Sequence, residues 1–151
     1  MDFITTPVIE KIRGLLYSLT HTHEELELVA DEVEDCKLKT AINGLSMESS
    51  IYASEICMQL KELGIKFPRP ALSELQGSNS MSFDEICDNY GNELSYICSR
   101  NENYIENAYK NILSENFTFP GLRDIMLYQL NALKCAFMKI NLLNTARLSG
   151  C

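Results

Sequence analysis

Hydrophobic residues recur along this chain at alternating spacings of four and three, and the longest unbroken run comes first. Val8, Ile12, Leu15, Leu19, Thr22, Leu26, Val29, Val33 and Cys36 keep that alternation throughout, while Ile9, Leu16, His23 and Ala30 widen one flank. A helix turns once per ~3.6 residues, so these positions form one stripe that faces a partner. At ~1.5 Å per residue the helix is ~40 Å long. It cannot bury the stripe alone. Thr6 is placed to cap it and Pro7 suits its first turn. Beyond Cys36 the phase breaks: the stripe would continue to Thr40, yet apolar positions resume at Leu38, Ile42 and Leu45. The break predicts a tight reversal near Asp35 to Lys37.

A second helix follows Leu38, Ile42, Leu45, Ser49, Tyr52, Ile56, Leu60 and Leu63. Gly64 supplies the left-handed residue that closes it, and Ile65 can pack back on the last turn. Residues 65 to 81 read as a long connection, because Pro68 and Pro70 oppose a helix and Gln76 to Ser80 is loop composition. Ser82-Phe83-Asp84-Glu85 is a capping box for a third helix. Its stripe is Cys87, Tyr90, Leu94, Ile97, Asn101, Tyr104, Ala108 and Ile112, with Asn101 as a polar residue in the middle. Pro120 then reads as the breaker before a fourth helix from about Leu122 to Arg147. That helix is apolar round most of its circumference, since Leu127, Tyr128, Ala136 and Met138 supplement Ile125, Met126, Leu130, Leu133, Phe137, Ile140 and Leu143. Such a helix is either deeply enclosed or part of an oligomer contact, and the second is favoured.

Four long helices in heptad phase predict an all-α fold, a left-handed four-helix bundle with a long crossover between helices two and three. At 151 residues the chain reads as a single domain spanning 1–151.

Composition adds mainly charge. The formal net charge is −8, and Glu24, Glu25, Glu27, Asp31, Glu32, Glu34 and Asp35 crowd the end of the first helix. That surface repels phosphate, which argues against nucleic acid and anionic membranes. It reads as a solvated acidic face, with a divalent-cation surface as the alternative. Met1-Asp2-Phe3-Ile4 has an acid where a signal peptide is basic, and no long uncharged apolar run exists, so a cytoplasmic chain with no membrane partner is expected. The six cysteines form no Cys-x-x-Cys pair and read as reduced thiols. Cys36 and Cys87 fall on apolar stripes and read as small core residues.

The two helical hairpins, the crossover and three stretches together resemble a known family. The stretches are Leu60-Lys61-Glu62-Leu63-Gly64, Ser99-Arg100-Asn101-Glu102-Asn103 and Leu133-Lys134-Cys135-Ala136-Phe137. They resemble DUF2383, a bacterial ferritin-like four-helix-bundle family whose members have no established biochemical role. The resemblance covers about Ile9 to Leu143. It implies a ferritin-like up-down-down-up bundle, a bacterial cytosolic setting and metal binding within the bundle.

The residues speak against a di-iron centre, which needs a Glu from each of two helices and Glu-x-x-His from each of the others. The chain has no Glu-x-x-His, and both histidines, His21 and His23, lie on helix one. Where family members can carry a Glu and a His in helix four, this sequence has Ala132 and Phe137. The lesser alternative is a single iron or manganese ion held by His23, Glu27 and Glu48, or by Glu55 in place of Glu48. Against it stands a structural role, in which Thr22, Ser49 and Asn101 form a hydrogen-bonded layer that fixes register and His23 pairs with Glu27. Phosphotransfer from either histidine is disfavoured by the acidic neighbours Glu24, Glu25 and Glu27, and c-type haem by the lack of Cys-x-x-Cys-His. No cysteine has a plausible base for nucleophilic catalysis. The expectation is a non-enzymatic bundle without a cofactor, acting through protein contacts as a homodimer or larger homo-oligomer through helix four.

Overall fold

A computed structural model describes residues 6–65, 90–115 and 119–149 of the chain. They form four α-helices and no strand: α1 Thr6–Glu32, α2 Cys36–Glu62, α3 Tyr90–Leu113 and α4 Pro120–Ser149. The expected crossover prolines, the Ser82–Glu85 capping box, Cys87 and Cys151 lie outside the described residues. Each helix packs on two others: α1 on α2 and α3, and α4 on the same two. One apolar core fills the middle, with Ile12, Leu19, Leu26, Leu38, Ile56, Ile97, Leu133 and Phe137 all but inaccessible. The stripe of α1 is buried as its spacing requires, from Val8 to Val33.

The ends of the helices follow local chemistry. Asp35 caps α2, its carboxylate accepting from the Leu38 N–H at 3.0 Å. A cap at Asp35 needs extended backbone there, so α1 stops at Glu32 and the turn is Val33 to Asp35. The reversal therefore lies upstream of the Asp35–Lys37 site that the phase break predicts. Cys36 becomes the first residue of α2 and is exposed rather than in the core. Gly64 closes α2 as expected: it has φ 85°, its N–H donates to the Lys61 carbonyl at 3.0 Å, and the Ile65 N–H donates to the Leu60 carbonyl at 2.8 Å. That two-bond closure uses a residue free to take positive φ. Leu63, expected on the α2 stripe, is the cap residue and is exposed.

Two further expectations are corrected. Pro120 does not break a helix but opens α4, where its missing N–H has no carbonyl to serve and its fixed φ already suits the helix. On α3, Ile105 and Tyr109 are buried whereas Tyr104 is 58% exposed. A period of ~3.6 carries the stripe past Asn101 to Ile105 instead of Tyr104. The guanidinium of Arg123, on the first turn of α4, donates to the carbonyls of Leu113 and Glu115, which covers the end of α3.

Candidate functional site

The described interior holds two buried polar nodes and a groove. The first node joins α1 to α3. Thr22 donates to Asn101 Oδ1 at 2.8 Å, and Asn101 Nδ2 donates both to Glu25 Oε1 at 2.7 Å and to its own-helix carbonyl of Ile97 at 2.9 Å. Arg100 Nη2 meets both oxygens of Glu25 at 2.7 Å. Glu25 is 7% exposed. Burial alone would draw the Arg100 guanidinium down, but the hydrogen bond and charge of Glu25 outweigh that and push it above its ordinary value. The guanidinium also stacks 5.4 Å from the Tyr96 ring.

Thr22 and Asn101 thus meet as expected, but Ser49 does not join them. Its hydroxyl donates to the Leu45 carbonyl of its own helix at 2.9 Å, a bond open to any serine inside a helix. Glu25, read as part of a solvated acidic face, is the anion of the node. Arg100 beside Asn101 in mid-helix was the one signal that a buried anion lay opposite.

The second node joins three helices. Tyr109 donates to Gln129 Oε1 at 2.8 Å, and Gln129 Nε2 donates to Glu55 at 3.0 Å and to the Tyr52 carbonyl at 3.4 Å. Tyr109 and Gln129 have no accessible surface. Tyr52 donates to Glu48 at 2.6 Å, and its ring meets that of Tyr128 edge-on at 6.4 Å. Burial raises both phenols above the ordinary range; Tyr52 and Glu55 add to the effect at Tyr109, and the Glu48 hydrogen bond adds to it at Tyr52. Nothing in the sequence singles out Gln129. A glutamine in an apolar stripe looks like any surface position until its neighbours are known.

The candidate metal ligands separate. His23 Nδ1 lies 2.9 Å from the Ser46 carbonyl oxygen, while the Ser46 hydroxyl donates to the His23 carbonyl at 2.7 Å. His23 Nε2 then faces Glu27, four residues on, at 3.4 Å. Glu48 is turned to Tyr52 and does not join them, and Glu55 is held by Gln129. Among the described residues no three His, Cys, Asp or Glu side chains gather as a metal site. The donor set among the described residues does not fit a ferritin-like centre. His21 lies 3.8 Å from Glu25 at the edge of the first node.

The groove lies between the start of α2 and the end of α4, and its volume is about 730 Å³. Leu45, Ala136 and Leu143 give it an apolar lining, Gly44 leaves room, and Lys37 and Lys139 border it. No helix of the described residues is long and apolar enough to cross a membrane. No family model, curated protein or solved structure matches the chain.

Proposed function

We propose that this chain is a ferritin-like up-down-down-up bundle of the DUF2383 kind, a single cytoplasmic domain that performs no catalysis and acts by self-association. The order of contacts supports the topology. Lys11 near the start of α1 pairs with Glu115 just past α3, and Thr22 meets Asn101 further along. Lys37 at the start of α2 shares a groove with Leu143 near the end of α4. Helices α1 and α4 then run one way, and α2 and α3 the other.

The observation that carries the functional reading is the outer face of α4. Tyr128, Met138 and Leu142 are 67%, 61% and 65% exposed. With the exposed Asn131 and Cys135 they make a stripe spaced 3,4,3,4 that holds no charge. Leu127 beside it is 44% exposed. Burying each large apolar side chain against a partner is worth about 1.5–3 kcal/mol, and a sustained heptad is the pattern that packs against another helix. The absence of catalysis is supported by the state of the polar groups. Burial, with Glu102 and Glu25 adding to it, pushes the Cys98 thiol up to about 12, so it stays protonated and a poor nucleophile. The carboxylates of Glu25, Glu48 and Glu55 are each bound by a neighbour.

Sedimentation velocity across a concentration series tests this. The wild type should sediment as a dimer or larger, and the double variant Leu127→Glu, Tyr128→Glu as a monomer. An unchanged mass distribution in the variant would remove α4 as the interface.

A further inference from the structure

We propose that the groove between α2 and α4 receives the acidic outer face of α1 from a second copy of this chain. The inference rests on the self-association reading and names a pair of surfaces for it. Three observations point the same way.

Charge is divided between opposite corners of the bundle. The cations at the groove are Lys37 and Lys139; the other described cations of α4 are engaged elsewhere, Lys134 with Glu106 and Arg123 with the carbonyls that end α3. Glu24 to Asp35 at the end of α1, by contrast, holds seven acids and no base. Among the described residues, only Glu25 of those seven pairs with a Lys or Arg, namely Arg100. Lys37 and Lys139 at the groove make no ion pair among the described residues. Glu48 is an acid that also lines the groove, but it accepts from the Tyr52 hydroxyl at 2.6 Å, and the two lysines outnumber it there.

Shape agrees with charge. Leu28 is the one large hydrophobic residue of α1 exposed among the described residues, at 52%. Helical neighbours lie three and four residues apart, so the exposed Asp31 and Glu32 flank it on one side and the half-buried Glu24 on the other. A leucine flanked by acids matches an apolar groove bordered by lysines.

Position agrees as well. Leu28 near the end of α1 and Lys37 at the start of α2 flank the same turn, Val33 to Asp35. A two-fold related copy can therefore insert its Leu28 into this groove while its own groove takes this chain's Leu28, a closed dimer rather than a chain of copies.

The test is charge exchange between two variants, read by sedimentation equilibrium on the whole chain. Lys37→Glu with Lys139→Glu, and separately Asp31→Lys with Glu32→Lys, should each weaken self-association by at least about tenfold, and an equimolar mixture should restore it. Raising salt should weaken the wild-type contact, because the charges are exposed. Gly44→Leu fills the groove directly; a Cβ there meets no atom within 4 Å, so its own helix is undisturbed. It should weaken association as the charge reversals do. If the wild type is a monomer at every concentration, the self-association reading fails and this one with it. If the wild type associates, Leu127→Glu with Tyr128→Glu abolishes it, and the groove variants change nothing, the groove is not the interface and the α4 reading stands.

Discussion

The seam between α1 and α3 and the junction of α2, α3 and α4 each bring polar side chains into the bundle, but they are held by different forces. The first closes on a full charge pair, Glu25 with Arg100, supported by Asn101 and Thr22. The second closes on a neutral amide, Gln129, which passes hydrogen bonds between Tyr109, Tyr52 and Glu55. A buried ion pair gains little over a well-packed apolar pair, yet removing one member leaves the other charged and dry. A neutral amide network loses only unmade hydrogen bonds when it is cut. The difference lies in the penalty for error rather than in the net gain. The charged seam penalises a wrong neighbour for α1 more heavily.

The largest expected effect follows from that asymmetry. Arg100→Met should destabilise the fold by about 3–5 kcal/mol, and the double variant Arg100→Met, Glu25→Met should recover most of the loss. Urea unfolding of the three proteins checks it. If the double variant is as unstable as the single one, the cost is lost packing and not a stranded charge. Gln129→Leu should cost less, about 1–3 kcal/mol, because it strands the Tyr109 hydroxyl and frees Glu55. Adding Tyr109→Phe to it should return part of that, which thermal melts would show.

Alkali should separate the two regions with the smallest effect. The fold holds Tyr109 and Cys98 above their ordinary values, chiefly by burial, so it favours their neutral forms. Their contribution is complete below the unfolded values of about 8.5 for cysteine and 10 for tyrosine. As pH rises past those values the unfolded chain ionises first, and stability falls towards the folded value, about 12 for Cys98. The melting temperature should therefore decline above about pH 9, with a shallower decline in Tyr109→Phe. Arg100 is pushed upward and keeps its charge across that window, so the α1–α3 seam should add to the slope only through Cys98, which Glu25 helps to push up. A slope unchanged by Tyr109→Phe would mean that phenol is not buried as described.

What could be read from the sequence was whatever depends on spacing within one helix. The α1 stripe and the Gly64 closure follow from periodicity and local backbone chemistry, and Thr22 and Asn101 stood out because each is the polar residue in the middle of its own helix's stripe. What escaped depends on rotation and depth. Tyr104 and Ile105 are adjacent, and a drift of a fraction of a residue per turn decides which one is buried. Glu25 and Glu27 look alike in an acidic run, yet one faces Arg100 and the other solvent. Ser49 lies at the expected level, but a partner within its own helix satisfied it first. His23 and Glu27 were legible as a pair because they are one turn apart; whether Glu48 would meet them was a question about two helices at once.

The long sequence separation of the polar nodes also bears on time. Glu25–Arg100, Thr22–Asn101 and the Gln129 contact to Tyr52 join residues 75, 79 and 77 apart. Closing so long a stretch of chain is entropically costly, so contacts between neighbours in sequence are rewarded earlier. The α1–α2 hairpin, closed by a three-residue turn, and the α3–α4 hairpin can each form before the contacts between them exist. Tyr109–Gln129 lies within the α3–α4 hairpin, but the contacts between hairpins come into being as they dock, late in folding, and their strength governs how long a folded molecule survives rather than how quickly it is made.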